Sequence, residues 1–207
     1  YYEKFTAVPI GGIAALIAVV CAFCCAALGA LIYCFLTITL RANQNVTGLA
    51  LTIFGTGFGN FFGEVLSSRA GGYVAVSAAT KAVFNGNVPV LSSIPTVGKL
   101  LFSYNFAVYL AVIVAIAIAL FLNRTRKGLS LRAVGENPAT ADAAGINVTL
   151  YKYLATCIGG GICGIGGMYI VMVTCSGVWV NNCISGYGWI AVALVIFVTW
   201  SPWRALI

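Results

Sequence analysis

Long, uninterrupted apolar runs separated by short polar pieces make up most of this chain. A helix that crosses a hydrocarbon core of about 30 Å needs roughly 20 apolar residues, and several runs approach or exceed that length. The runs are continuously apolar rather than alternating with polar residues, which favours helices over the strands of a membrane barrel. The pattern therefore predicts an all-α, polytopic transmembrane helical bundle with about five visible spans. The expected spans are residues 13–37, 46–65, 106–122, 153–174 and 187–200.

Two parts of the chain are less regular. The first apolar run, residues 5–40, is longer than one crossing requires, and a tilted helix is favoured there over a re-entrant hairpin. Residues 67–105 mix basic side chains with small residues and turn signals, which predicts an excursion outside the membrane with one short helix. The chain begins on tyrosine rather than methionine, so we expect a fragment of a larger protein.

Composition agrees with a membrane class. Hydrophobic residues make up 61% of the chain, charged residues only 7%, and the mean hydropathy is +1.03, values far from those of a soluble domain. If the spans alternate sides, seven lysines and arginines lie on the side of residues 124–152 and four on the other. The positive-inside rule then predicts that this loop is cytoplasmic. Phospholipid headgroups are a sufficient partner for the net charge of +7, and no nucleic acid polymer is expected.

The sequence contains little that could support catalysis. It has no histidine, only four carboxylates, and no glycine-rich phosphate-binding loop ending in lysine followed by serine or threonine. We therefore expect no catalytic residues in this chain. Its eight cysteines lack support from histidine or carboxylates, so no metal site is expected either. Cys175 and Cys183 bracket an external loop and could pair, which spacing alone leaves open.

The segment between the third and fourth spans contains helix-boundary signals. Asn137 is a candidate N-cap, Pro138 suits the first helical position, and Gly145 suits a left-handed C-terminal residue. These signals predict a short helix over residues 139–144 with an alanine-rich surface that could enter a groove on another protein. Three charged residues could add polar contacts with that protein at the rim of the groove. They are Arg132, Glu136 and Asp142. On pattern alone, a plain cytoplasmic connection between spans is the favoured interpretation.

The next apolar run contains a glycine cluster. Residues 159–164 match GxGxxG in letters, but a dinucleotide site requires a preceding strand and a later acidic residue, which are missing here. Glycines four residues apart instead allow another helix backbone to approach closely. The candidate helix-packing positions are Gly160, Gly164 and Gly167.

The loop sequence RAVGENPATADAAGIN, residues 132–147, resembles the cytoplasmic coupling loop of ABC-transporter permeases. It is most similar to that of the simple-sugar and nucleoside importers, which are related to branched-chain amino acid and ribose permeases. The resemblance extends over most of residues 36–206. It implies that the short helix docks on a separate ATPase subunit and passes ATP-driven motion to the spans. The residues to which the resemblance gives this role are Arg132, Val134, Gly135, Glu136, Asn137, Pro138, Ala141, Asp142, Ala144 and Gly145.

The same resemblance implies a function. Residues 1–207 would form one transmembrane permease domain, with a coupling loop at about 124–152, in an importer of nucleosides or simple sugars that works by alternating access in the cytoplasmic membrane. Its implied partners are an ABC ATPase that uses ATP and Mg²⁺, a second permease subunit, either identical or different, and an extracytoplasmic substrate-binding lipoprotein. No cofactor is expected on this chain. The alternatives are a permease for another solute, such as a pentose or branched-chain amino acid, an ion-coupled secondary transporter, and a non-transporting scaffold.

Residues that contact substrate are sought among polar and aromatic side chains within spans. Thr56, Phe58 and Asn60 in the second span are the candidates for a substrate pathway. Asn60 could hydrogen-bond a sugar ring or a base, and a phenylalanine could stack on it. An interhelical hydrogen bond for Asn60 and lipid contact for Phe58 explain the same residues.

Overall fold

The computed structural model describes residues 11–199, except residues 73, 86–105 and 185. This part of the chain is predominantly α-helical. Its elements, in chain order, are α1 (Gly11–Cys34), a π-helical turn (Phe35–Thr39), α2 (Gln44–Arg69), α3 (Ala78–Asn85), α4 (Phe106–Arg124), α5 (Arg126–Glu136), α6 (Pro138–Ala143), α7 (Val148–Val173) and α8 (Tyr187–Phe197).

The all-α, polytopic prediction is confirmed. Three helices in the described part are each long and apolar enough to cross a membrane, and a fourth span results if α4 and α5 are counted as one bent crossing. The three are Gly12–Thr39, Gln44–Arg69 and Val148–Val173. The predicted crossing at residues 187–200 corresponds to α8, which has 11 residues. The predicted short helix within residues 67–105 is α3, and residues 86–105 lie outside the described part.

Two spans start earlier than the apolar runs indicate, because asparagines cap them. The Asn43 side-chain oxygen accepts a hydrogen bond from the backbone N–H of Asn45 at 3.0 Å, at the start of α2. Asn147 does the same for the N–H of Leu150 at 3.0 Å, at the start of α7. An asparagine cap satisfies donors that the first helical turn leaves unpaired, so each helix can begin in polar sequence ahead of its apolar run.

The helices fall into two compact units. One comprises the residues up to Val20, Leu66–Ile116 and the residues from Gly167 onward. Its irregular part is held by an antiparallel bridge between Ala75 and Val178. Two backbone bonds flank the bridge: the N–H of residue 76 donates to the oxygen of residue 177, and the N–H of residue 179 donates to that of residue 74, each at 2.9 Å.

A disulfide closes the turn that carries one side of this bridge. Cys175 and Cys183 are bonded, with their Cα atoms 6.9 Å apart. The pairing that spacing left open is therefore present. Disulfides persist in oxidising compartments. Its position after the C-terminal end of α7 agrees with a cytoplasmic location for the loop before the N-terminal end of that helix.

The other unit comprises Cys21–Val65 and Ala117–Gly166. Within it, α1 and α7 approach at glycines. A Cβ atom built on Gly160 would lie 2.5 Å from the Cβ of Ala30, and one built on Gly164 would lie 2.7 Å from the carbonyl oxygen of Ala22. Neither position has room for a side chain. The two helices therefore pack with their backbones close together.

We expect the disulfide to raise the free energy of unfolding by about 2–3 kcal/mol, because it closes a short loop in the unfolded chain. Replacing both Cys175 and Cys183 with serine should lower the thermal unfolding midpoint in detergent and remove its dependence on reductant. Cys163→Ser, at an exposed free thiol, is the matched control. A reductant effect of equal size in wild type and double variant would contradict the prediction.

Candidate functional site

A sharp bend separates the third predicted span from the charged segment that follows it. The axes of α4 and α5 differ by 82°, and Thr125 between them is extended, with φ −107° and ψ 146°. Its hydroxyl donates to the carbonyl oxygen of Phe121 at 2.7 Å and accepts from the N–H of Gly128 at 3.0 Å. One side chain therefore bonds the last turn of α4 and the first turn of α5, which caps the second helix and fixes the bend.

Gly128 completes the bend because it has no side chain. The residue is buried, and a Cβ atom at this position would overlap the carbonyl oxygen of Phe121 and lie 2.8 Å from the Cα of Leu122. The overlap is with backbone atoms, which cannot rotate away as a flexible side chain can. Any larger residue must therefore open the angle between α4 and α5.

After the bend, α5 and α6 pack together as a helical hairpin, which we call the coupling hairpin (Arg126–Ala143). Each helix contributes a buried apolar side chain: Val134 is 2% exposed and Ala141 is 3% exposed. The α5 helix was not predicted, because residues 124–152 were interpreted as a loop with one short helix at residues 139–144. The ion pair between Arg132 and Glu136, at 3.3 Å and four residues apart, is the signal that could have shown it. Both partners are largely exposed, so the pair adds little stability.

The short helix α6 is bounded by the residues that the pattern indicated, which confirms its prediction. The Asn137 side-chain oxygen accepts hydrogen bonds from the N–H groups of Ala139 and Thr140 at 3.1 and 3.2 Å, and Pro138 occupies the first turn. Gly145 ends the helix with φ +80°. Both ends of α6 are therefore satisfied within the chain, and the helix can remain formed when exposed.

An open groove of about 590 Å³ lies beside α6. Among the described residues, the Asp142 carboxylate on this groove has no ion-pair partner. The groove thus offers a surface of mixed apolar and polar character with one negative charge. It is lined by Pro138, Ala139, Asp142, Gly145, Ile146, Asn147, Val148 and Thr149.

The structure brings two of the three pathway candidates to one side of α2 and leaves the third on another. Thr56 and Asn60 are four residues apart and share a helix face, whereas Phe58 is two residues from each and lies roughly 160° around the axis. Phe58 instead contacts the tilted rings of Phe54 and Phe62, at centroid distances of 5.8 and 4.5 Å. The Thr56 hydroxyl donates to the carbonyl oxygen of Thr52 at 2.8 Å. The three candidates therefore cannot line one narrow pathway together.

The three candidate packing glycines also occupy different surroundings. Gly160 and Gly164 lie against α1 with no room for a Cβ atom. Gly167 is in the other unit, where a built Cβ would make ordinary contact with the Ile184 side chain at 3.6 Å. The buried Gly161 was not predicted, and a Cβ there would overlap the ring of Phe23.

Comparison with known proteins identifies the family. The profile of the family described as "Branched-chain amino acid transport system / permease component" matches residues 3–207. The chain belongs to this permease family. Members of this family are permease components of transport systems, and the chain is a multi-pass protein of the cytoplasmic membrane.

Curated relatives carry related names. The permease is 37% identical over 180 residues to the putative glucose ABC transporter permease protein TsgC13 of Haloferax volcanii, covering 86% of this chain and 52% of the relative. It is 36% identical to the nucleoside ABC transporter permease protein NupC of Lactococcus lactis, covering 83% and 52%. It is 32% identical to the guanosine ABC transporter permease protein NupQ of Bacillus subtilis, covering 99% and 63%.

The permease spans about half to two thirds of the length of these three relatives. No solved structure matches it.

Two glycines of the coupling hairpin provide a matched test of the bend. Gly128→Ala should destabilise the protein and alter the hairpin, because the new methyl group meets backbone atoms of α4. Gly135→Ala, on the same helix with open space around it, should be neutral or slightly stabilising, because alanine is the better helix former. Thermal unfolding and hydrogen exchange of residues 126–143 measure both effects. Equal behaviour of the two variants would contradict this account of the bend.

Proposed function

We propose that this chain is part of the transmembrane subunit of an ATP-driven ABC importer that moves nucleosides or simple sugars into the cell by alternating access. The observation that carries the proposal is the coupling hairpin. It is a capped, exposed pair of helices that bends away from the apolar helix α4 and is joined through residues 144–147 to the candidate span α7. Such an element suits docking, because its helices need no partner to satisfy their ends.

The hairpin is also firmly attached to the spans at both ends. The Thr125 hydroxyl and the close contact at Gly128 fix it to α4. On the other side, only residues 144–147 separate α6 from α7. A partner that moves the hairpin would therefore move helices within the membrane, as an ATP-driven transporter requires.

The proposed motor is a separate ABC ATPase, which would bind ATP and Mg²⁺. This chain has no glycine-rich phosphate-binding loop of its own. The groove beside α6 is open and is lined in part by the Asp142 carboxylate. We therefore expect the docking surface of the ATPase to be shallow and to carry basic side chains that complement this charge. The remaining proposed partners are a second permease subunit and an extracytoplasmic substrate-binding lipoprotein.

Nucleosides and simple sugars are proposed as cargo because the relatives at 32–37% identity are named for glucose, nucleosides and guanosine. Both kinds of cargo carry a hydroxylated ring. On α2, the face shared by Thr56 and Asn60 offers polar groups suited to such a ring. We place the pathway along that face and assign the aromatic face of Phe54, Phe58 and Phe62 to lipid or to another helix.

The docking proposal is tested with full-length permease and its candidate ATPase. Gly135→Trp should reduce co-purification of the ATPase at least tenfold, because the indole would project from the exposed surface of the coupling hairpin. The substitution should leave the fold intact, since a Cβ at residue 135 meets no atom within 4 Å.

Two controls separate obstruction from misfolding. Gly135→Ala keeps the site small, and Gly59→Trp places the same bulky side chain at an equally open glycine of α2, outside the hairpin. Both should retain the ATPase. A folded wild type that retains no ATPase would refute the importer assignment, and equal retention by wild type and Gly135→Trp would refute docking through the hairpin.

The pathway proposal predicts a split between the two faces of α2. Asn60→Leu should lower uptake of the transported solute severalfold, because a polar group facing the substrate is lost. Phe58→Leu should leave uptake within about twofold of wild type. Uptake of radiolabelled guanosine, glucose and leucine into proteoliposomes measures both variants. Uptake of leucine with no uptake of guanosine or glucose would assign the permease to branched-chain amino acids. A larger loss with Phe58→Leu would transfer the pathway to the aromatic face.

A further inference from the structure

Residues 144–147, which connect the coupling hairpin to α7, are short and held by hydrogen bonds. At the end of α6, the N–H of Ile146 donates to the carbonyl oxygen of Ala141 at 3.0 Å, and the left-handed Gly145 makes the turn. Asn147 then caps α7 through the N–H of Leu150. Hydrogen bonds thus hold the connection at both ends, so α7 must respond when the hairpin is displaced.

Along α7, the side facing α1 forms one stripe. Tyr153, Cys157, Gly160 and Gly164 are spaced four, three and four residues apart, which places them on one face of the helix. Gly160 and Gly164 meet α1 with no room for a Cβ atom. Nearer the coupling hairpin, the fully buried Cys34 of α1 lies against the side chains of Thr156 and Cys157.

The matching stripe on α1 consists of small residues at every fourth position. Ala22 and Ala26 face Gly164, Ala30 faces Gly160, and Cys34 continues the series. Small residues at this spacing let two membrane helices approach closely, where short-range dispersion attraction is greatest. Both helices contribute such a stripe, so their contact is continuous from Ala22 to Cys34.

The π-helical turn extends this stripe toward the coupling hairpin. The backbone N–H of Leu40, directly after the turn, donates to the carbonyl oxygen of Phe35, five residues earlier, at 3.1 Å. A π turn advances by five residues where an α turn advances by about four. The next position in line after Cys34 is therefore Thr39, and its hydroxyl hydrogen-bonds the Tyr153 hydroxyl of α7.

We propose that Thr39 and Tyr153 are positioning residues that make α1 follow α7 when the coupling hairpin moves. The inference rests on the proposed function and names the contacts that transmit motion from the coupling hairpin to α1, which we call the relay. The hairpin displaces α7 through residues 144–147, the hydroxyl pair holds α1 to α7 next to the hairpin, and the glycine–alanine stripe holds them together along their length. The Cys21–Cys34 part of α1, the π-helical turn and the Val148–Gly166 part of α7 thus travel as one body.

The test compares hydroxyl-retaining with hydroxyl-deleting variants of the full-length permease and its ATPase in proteoliposomes. Thr39→Val and Tyr153→Phe remove one hydroxyl each and keep the side-chain shape. Each should lower the number of solute molecules moved per ATP by about two- to tenfold, the range that corresponds to one net hydrogen bond. ATP hydrolysis and co-purification of the ATPase should stay at wild-type levels.

Three controls and one further test variant accompany these variants. Thr39→Ser keeps the hydroxyl and should retain the wild-type ratio. Tyr151→Phe removes a hydroxyl that has no hydrogen-bond partner among the described residues, and should also have no effect. Gly164→Ala should lower the ratio, because its methyl group meets the backbone of α1, whereas Gly166→Ala, at a glycine with open space, should not.

The outcomes separate this relay from the function on which it rests. A wild type that neither retains the ATPase nor moves solute with ATP overturns the proposed function and the relay together. A wild type that transports, with Thr39→Val and Tyr153→Phe matching its ratio, overturns the relay alone. A Thr39→Ser variant as poor as Thr39→Val also overturns it, because the hydroxyl would then not be the group that acts.

Discussion

The close approach of α1 and α7 is the contact on which the arrangement of the second unit depends. Within a bilayer, apolar side chains gain nothing by leaving lipid for protein, so helices associate through close packing and hydrogen bonds. Gly160 and Gly164 allow the two helix backbones to approach closely, since a Cβ atom at either position would overlap α1. In water, each glycine would weaken a helix by about 1 kcal/mol relative to alanine. Here the absent side chain is what permits the contact.

A third glycine, Gly128, determines the direction of the helices that follow α4. Gly128 lets α5 turn across the end of α4, and the Thr125 hydroxyl satisfies a backbone group on each side of the turn. The charged helix α5 consequently leaves the direction of the apolar helix before it. The permease therefore presents the coupling hairpin as an ordered element attached to the apolar helix α4 and to the candidate span α7. The proposed docking on an ATPase and the proposed transmission of force both need that attachment.

Family membership and local structure support each other at this hairpin. The sequence of residues 132–147 by itself resembles a coupling element, and the family profile covers nearly the whole chain. The structure adds what similarity alone lacks, namely the caps at Asn137 and Gly145 and the buried Val134 and Ala141. Relatives named for sugars and nucleosides narrow the proposed cargo. Helix geometry separates Phe58 from the polar face of α2, and the proposed substrate pathway is therefore limited to that face.

Sequence by itself determined the all-helical membrane class and the approximate spans, because apolar run length and helix periodicity are local properties of the chain. It also determined α6, whose cap, proline and terminal glycine lie within nine residues of one another. Only the tertiary structure decided the bend between α4 and α5, the Cys175–Cys183 bond and the pairing of α1 with α7. The small residues of α1 at every fourth position were visible in the sequence, but their partner was not. A spacing shows that a helix can be approached closely, whereas contact between Thr39 and Tyr153, 114 residues apart, depends on how the chain returns through space.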